Sequence, residues 1–438
     1  MSDMQMVLNY AMETAKKLGA QGVRAGISQA QSFSIDWRKQ KIDQMQSDNT
    51  SSLFLNLFVD CRYRNFMTSD MRKESLETFI QKGIDMTRLL EADECRGLAE
   101  SEKYANRAEI DLDLYDAKIP EIKPEYHIDI CKKIEELGYG RSELPVFDVQ
   151  AFSGHSYSTY MLATSNGFFG TRKGSSCYNG LSIVLNDGDK KPSEGYSTSA
   201  RYLSDLAPIE TTVDIVAKYA AYTLGQKKLA SGKRTVIMDR SAAALFLEKY
   251  LEPLYGMALV QKQSYFLDKI GQKMGSDLLT LIDMPHIVRG ISSRLFDGEG
   301  ISTHDASIFE NGTLKQYFLD TYAARKLKLD VTSGSRTNLV LKPGSRSLEA
   351  MIADVKDGIY LTGFLGGNKD NVRGDFSYGI TGVAIQDGKL TQNISEMNID
   401  GNALDIWNRL VEVGNDPRLD NAVRVPSLRF DDVSFSGT

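Results

Sequence analysis

Cysteine, proline, tryptophan and histidine are all scarce: 4, 10, 2 and 4 residues in a chain of 438. Cys61, Cys95, Cys131 and Cys177 are too dispersed for a disulfide framework, and no CxxC pair exists, so a zinc ribbon or thioredoxin-type motif is excluded. Excess positive charge is missing as well. Lysine and arginine total 52 against 58 aspartates and glutamates, a net charge of −6, whereas wrapping nucleic acid requires a basic face. No apolar run approaches the roughly 18 residues of a bilayer-spanning helix. The opening MSDMQMVLNYAMETAKKLG lacks the basic start and apolar core of a secretion signal. A cytoplasmic protein with no membrane and no direct nucleic-acid contact is expected. The remaining composition, 42% hydrophobic and 25% charged, describes a globular chain able to bury a large core.

What is present is order and periodicity. Met4, Val7, Leu8, Ala11, Ala15 and Leu18 share one face of a first helix, which Ser2 or Asp3 can cap and Gly19 ends. A β-rich stretch from Val23 to Thr68 follows. After Ser69-Asp70 comes a helix with Leu76, Phe79, Ile80 and Gly83 inside. The same plan then runs again: a helix over Glu125–Leu137, strands from Val146 to Tyr196, Ser204-Asp205, and a helix with Val213, Val216, Ala217, Ala220 and Leu224 inside. This reads as a divergent duplication, each copy burying its helices on its own sheet.

The expected fold is α+β: a duplicated helix–antiparallel sheet–helix part followed by a β-rich α+β domain. Its units are residues 1–92, a connector over 93–123, a central unit over 124–232 and a carboxyl-terminal domain over 233–438. In that last domain, strand Thr235–Asp239 runs into a helix capped by Ser241. Asn311-Gly312 and Asp387-Gly388 announce two hairpins, because their residues accept positive φ. Short helices are expected over Thr321–Leu327, Ser347–Val355 and Leu404–Val413.

Common catalytic signatures are missing. No phosphate loop occurs, and Thr303 stands where a dinucleotide fingerprint after Gly298-Glu299-Gly300 needs glycine. Gly154-His155-Ser156-Tyr157-Ser158 is half a nucleophile elbow in strand-like surroundings, so a surface strand is expected there. His127 and Cys131 have the spacing of two metal ligands on a helix, yet Ile130 and Ile134 share their face, which favours a packed core. His286 and His304 flank Asp283, Asp297, Glu299 and Asp305, an assortment with hard-metal chemistry that reads more simply as solvated turns. In Arg294–Thr303, glycines alternate with acids. This loop, Gly363–Gly367 and Gly374-Asp375-Phe376-Ser377 are candidates for close approach to an incoming backbone, the last two by leaving sheet edges open.

Seven stretches, in order, resemble the TldD/PmbA family, named for modulators of DNA gyrase. They are Ser165-Asn166-Gly167-Phe168, Phe296-Asp297-Gly298-Glu299-Gly300, Glu310-Asn311-Gly312 with Leu314, Tyr322-Ala323-Ala324-Arg325-Lys326, Gly374-Asp375-Phe376-Ser377, Gly414-Asn415-Asp416 and Arg424-Val425-Pro426-Ser427-Leu428. The resemblance implies two branches. One is a zinc peptidase with His-Glu-x-x-x-His on a helix after a strand and a cysteine near the carboxyl end. The other, PmbA or TldE, lacks those ligands and pairs with the first. Here Glu248 and Pro253 stand where the histidines would be and Lys249 where the glutamate base would be, and no cysteine follows Cys177. The chain is therefore identified as similar to the second branch. That implies a non-catalytic subunit holding no cofactor, a zinc-bearing TldD-like partner, a possible homodimer and a peptide substrate. Asp297, Gly298, Glu299, Gly300, Gly374, Asp375, Phe376 and Ser377 are the substrate-groove candidates. The alternatives are a self-standing hydrolase using His286, His304, Asp297 and Glu299, or a homo-oligomeric scaffold.

Overall fold

The computed structural model describes residues 3–105 and 110–437; Ser2 and part of the connector, 106–109, lie outside the described residues. The first unit is α1 (Asp3–Lys17), β1 (Gly22–Arg38), β2 (Lys41–Val59), β3 (Arg62–Thr68) and α2 (Lys73–Arg88). Met4, Leu8, Ala11 and Ala15 recur at helical spacing and are the buried residues of α1. The second unit repeats the plan with α3 (Pro124–Tyr139), β4 (Val146–Thr164), β5 (Phe169–Leu185), β6 (Ser193–Ala200) and α4 (Ile209–Ala221).

The two units do not keep separate sheets, as the sequence suggested. They share one, in the order β3-β2-β1-β4-β5-β6. Its centre is the antiparallel pair β1 and β4, in register from Arg24↔Thr164 to Arg38↔Gln150. The physical reason is length: β1 and β4 run 17 and 19 residues, far beyond what one helix pair covers. Each hairpin therefore extends under the other unit's helices. Val23, Ala25 and Ile27 of β1 pack on α1 and α2, whereas Ile35 and Trp37 on the same face join the α3 and α4 core. Met161, Ala163 and Phe169 return the exchange, packing into the first core.

The reverse face meets the carboxyl-terminal domain. Leu162 and Phe168 pack with Phe296 and Ile301, and with Ala99 and Tyr104 of the connector. That domain comprises β7 (Gly232–Met238), α5 (Arg240–Leu251), α6 (Gly256–Val260), β8 (Leu281–Asp283), β9 (Ala306–Glu310), β10 (Thr313–Leu314), α7 (Thr321–Leu327), β11 (Leu339–Leu341) and α8 (Leu348–Ala353). There follow β12 (Asp357–Lys369), β13 (Asp375–Gln386), β14 (Lys389–Asn402), α9 (Ala403–Asn408), β15 (Leu410–Val413), β16 (Val423–Arg424) and β17 (Leu428–Ser436). Strands β14-β13-β12-β7-β17 close on themselves through β14 and β17, with β15 beside β17. A smaller sheet runs β10-β9-β8-β11-β16. Both anticipated hairpins form, with positive φ at Asn311, Gly312, Asp387 and Gly388.

Two local expectations fail. Asp239, not Ser241, caps α5: its carboxylate accepts from the Ser241 amide at 2.8 Å, because Asp239 is the last extended residue before the helix. The expected helix Leu404–Val413 is half helix. It stops at Asn408, and Leu410–Val413 pairs with β17, where the alternation of buried Leu410 and exposed Val411 suits a sheet.

Candidate functional site

Strand β7 delivers Asp239 to the start of α5, and this carboxylate is 2% exposed. It is held by the Tyr219 hydroxyl at 2.5 Å, the Tyr360 hydroxyl at 2.8 Å and the Ser241 amide. Burial first, and then the Asp239 charge, drive both phenols well above the ordinary tyrosine range, so the protons stay on the tyrosines. The hub pins α4, β12 and the start of α5 together. Its members are scattered in sequence, and nothing in the local pattern marks them.

Beyond the hub, α5 buries Ala242, Ala243, Phe246, Leu247, Tyr250 and Leu251. Its opposite side and the turn beyond it present the positions aligned with the zinc motif. Glu248 is ion-paired with Arg336. The Lys249 ammonium lies 5.1 Å from the centre of the Tyr378 ring. Glu252 pairs with Lys369. Pro253 lies past the end of α5 in a short 3₁₀ turn, where its carbonyl accepts from Ser264 Oγ at 2.7 Å. Lys249, Lys369, Phe246, Tyr265, Phe376 and Tyr378 line one aromatic pocket here.

These side chains do not fit zinc. The metal needs about three nitrogen, sulfur or carboxylate ligands and an open position. Glu248 is already neutralised by a guanidinium, Pro253 has no side-chain donor, and the Lys249 ammonium in the pocket repels a divalent cation.

The substrate-groove candidates divide between two places. Gly374 and Phe376 line the Lys249 pocket, with Phe376 5.1 Å from Tyr378, ring to ring. Asp375 accepts from Asn402 Nδ2 at 3.0 Å and Ser377 Oγ from Asn398 Nδ2 at 3.2 Å. Strand β13 has β12 on one side and β14 on the other, so Gly374–Ser377 leaves no open edge, contrary to expectation. The edge at Gly363–Gly367 does exist. β7 accompanies β12 only over Gly358–Leu361, and among the described residues no strand pairs with that side of β12 beyond.

The second group, Asp297-Gly298-Glu299-Gly300, forms the joint between sheet and carboxyl-terminal domain. Glu299 lies 2.5 Å from Arg24 of β1 and accepts from the Thr321 amide and hydroxyl at 2.7 and 2.6 Å. Asp297 accepts from the amides of Glu299 and Ile301, and burial pushes its carboxyl up to about 6. Gly300 has φ +88, and a Cβ there would meet the Phe168 ring at 2.6 Å, so only glycine fits. Gly298 is exposed.

The assorted metal residues are not gathered. Asp283 accepts from Thr337 amide and hydroxyl, His286 lies 3.3 Å from Thr303 Oγ1, and His304 and Asp305 face solvent. Among the described residues no three His, Cys, Asp or Glu side chains are placed to share a metal. His155 corrects the surface-strand expectation: it is 7% exposed and its Nδ1 lies 2.7 Å from His127 Nε2, while His127 Nδ1 lies 2.8 Å from Ser153 Oγ. Cys131 is core, its thiol pushed up to about 12 by burial.

Two family models match the chain: the PmbA/TldA metallopeptidase central domain over residues 117–225 and the corresponding C-terminal domain over 231–437. The chain belongs to the TldD/PmbA metallopeptidase family. It is 26% identical to metalloprotease PmbA of Escherichia coli O157:H7, over 98% of this chain and 96% of that one. It superposes with a TM-score of 0.96 on the crystal structure of a candidate modulator of DNA gyrase from Bacteroides thetaiotaomicron, with 38% identity and full coverage of both chains. TldE from Thermococcus kodakarensis shares the fold, with a TM-score of 0.86 at 19% identity over 98% of this chain and all of that one. Among the described residues, no helix of this family member is long and apolar enough to cross a membrane.

Proposed function

We propose that this chain is the PmbA/TldE-like, non-catalytic subunit of a cytoplasmic zinc-dependent peptidase complex. In this reading it binds no zinc itself and pairs with a TldD-like subunit that does. The observation that carries the reading is the chemistry at Glu248, Lys249 and Pro253. The family framework is intact around them, while an ion pair, an ammonium and a proline stand where metal ligands and a base are needed. The unpaired side of β12 beyond Leu361 supports a role in gripping an extended peptide, since main-chain groups there are free to add a strand. Any effect on gyrase would be indirect, through a cleaved peptide or small protein.

Metal analysis and a peptidase assay on the isolated chain, and on the chain mixed with a TldD-type subunit, test the proposal. Zinc and activity are expected only in the mixture, with the zinc assigned to the partner. Stoichiometric zinc and peptide cleavage by the isolated chain would overturn it.

A further inference from the structure

Away from α5, a cleft of about 340 Å³ opens where β5, the segment 110–115 and residues 294–296 meet. Its charge balance is unusual. Arg172, on the stretch of β5 that precedes its pairing with β6, stacks over Tyr160 with its guanidinium carbon 4.6 Å from the ring centre and 6.0 Å from that of Phe296. Among the described residues its side chain makes no hydrogen bond and no ion pair. It is open to solvent from the cleft yet surrounded by protein mass, and that desolvation holds its pKa below the ordinary arginine range.

Two more guanidiniums sit close enough for Arg172 to repel them, and both are desolvated. Arg294 donates from Nη2 to the Ser335 carbonyl at 2.7 Å and the Arg336 carbonyl at 3.0 Å, and its buried Nε has no partner among the described residues. Arg201 donates to the carbonyls of Ser175, Gly290 and Ile291. Among the described residues neither forms an ion pair with a carboxylate. The acids whose field reaches Arg294 are Asp283 and Asp297, whose oxygens are occupied by Thr337 and by the amides of Glu299 and Ile301. On the far wall, Asp113 is taken by Arg289 at 2.6 Å and by Tyr202, and Asp111 accepts from the Asp113 amide. Lys173 adds a further positive charge to the lining.

The lining carries Arg172, Lys173 and Arg294 against Asp111 and Asp113, and among the described residues no carboxylate pairs with Arg172 itself. Holding a desolvated guanidinium without a counter-ion is costly, and a bound anion offsets the cost. A guanidinium stacked on a ring keeps its edge N–H groups free, and that edge matches two oxygens of a carboxylate or phosphate. We propose that this cleft is an oxyanion-binding site, with the edge of Arg172 as its principal ligand and Arg294 supplying positive field behind it. The site stands whether or not the chain takes part in peptide cleavage. A peptide's terminal carboxylate and a phosphate group share the required chemistry.

Isothermal titration calorimetry on the full-length chain at low salt distinguishes them, using inorganic phosphate, trialanine, and trialanine with an amidated carboxyl end. Phosphate or the free-acid peptide is expected to bind, and the amidated peptide is not. Arg172→Met should weaken that binding at least tenfold, and Arg172→Lys less, with the thermal midpoint of each variant reporting that the fold is intact. Should Arg172→Met unfold, Arg294→Met provides the same reading. Absence of binding by both oxyanions, equal affinity of the acid and amide peptides without phosphate binding, or unchanged affinity in the folded variants would overturn the proposal.

Discussion

The two halves of the six-stranded sheet follow one plan and solve it with different chemistry. Under α1 and α2 the core is leucine, isoleucine, valine, alanine and Met4, with Leu8, Leu53, Leu55 and Ile80 wholly buried, and the buried Thr87 hydroxyl of α2 is satisfied within its own helix by the Gly83 carbonyl. Under α3 and α4 the same architecture also buries His127, Glu135, Asp148, Ser153 and His155. Every one of these polar groups has a partner. Glu135, 4% exposed, accepts from Trp37 Nε1 at 2.8 Å and from the Gln40 amide, which lies in the turn between β1 and β2. Asp148 pairs with Arg38. The contrast teaches that a duplicated frame needs only the hydrophobic stripe at helical spacing. The second half adds polar anchors that fix where the first half's hairpin tip docks.

Truncating the apolar core breaks the comparison most strongly. Leu55→Ala should cost about 2–5 kcal/mol, read from the denaturant midpoint, because the cavity left between β2 and the α1–α2 layer is filled only partly by relaxation. Next comes pH. Burial, and then the neighbouring His155 ring, push the His127 pKa down to about 4, and burial lowers that of His155. The unfolded chain, with histidine near 6.5, binds more protons than the folded one below that pH. Stability is therefore full above about 6.5 and is lost as pH falls toward about 4, by ~3 kcal/mol at most from His127. A His127→Phe/His155→Leu variant should flatten the stability curve in that window. An unchanged slope would show that the second half is no more pH-sensitive than the first.

Third, Glu135→Ala should cost about 1–3 kcal/mol, since Trp37 Nε1 and the Gln40 amide lose their acceptor. Loosened hydrogen-exchange protection confined to the β1–β2 turn would sharpen the claim that α3 clamps it. The smallest effect belongs to the bare arm of the first half: residues 41–50 of β2 are exposed throughout, so Asp48→Ala should shift stability by no more than about 0.5 kcal/mol.

Much of this architecture is legible in the residues themselves. The stripes Leu8-Ala11-Ala15 and Val213-Val216-Ala220 repeat at the period of a helix, and Asn311-Gly312 and Asp387-Gly388 carry the turn conformations that close hairpins. Legibility ends where both faces of a strand are covered. Ser153 and His155 alternate with Phe152 as a half-exposed strand would, yet helices lie over one face and the carboxyl-terminal domain over the other. Long-range pairing is equally silent: Glu299 finds Arg24 across 275 positions, and Asp239 collects Tyr219 and Tyr360 from two other elements. The residue types at Glu248, Lys249 and Pro253 can be read directly from the chain. The Lys369–Glu252 pair beside Lys249, and the clustering of Arg172 with Arg294, exist only once the strands are laid side by side.

The mutual reach of the two long hairpins has a consequence during synthesis. The first ninety residues leave the ribosome with α1 and α2 made but their cover incomplete, because Met161, Ala163 and Phe169 have not yet been translated. Ile35 and Trp37 wait in the same way for helices that begin at residue 124. Neither half has its complete core until the other is made, and the β1 edge of the nascent chain stays unpaired until β4 arrives to claim it.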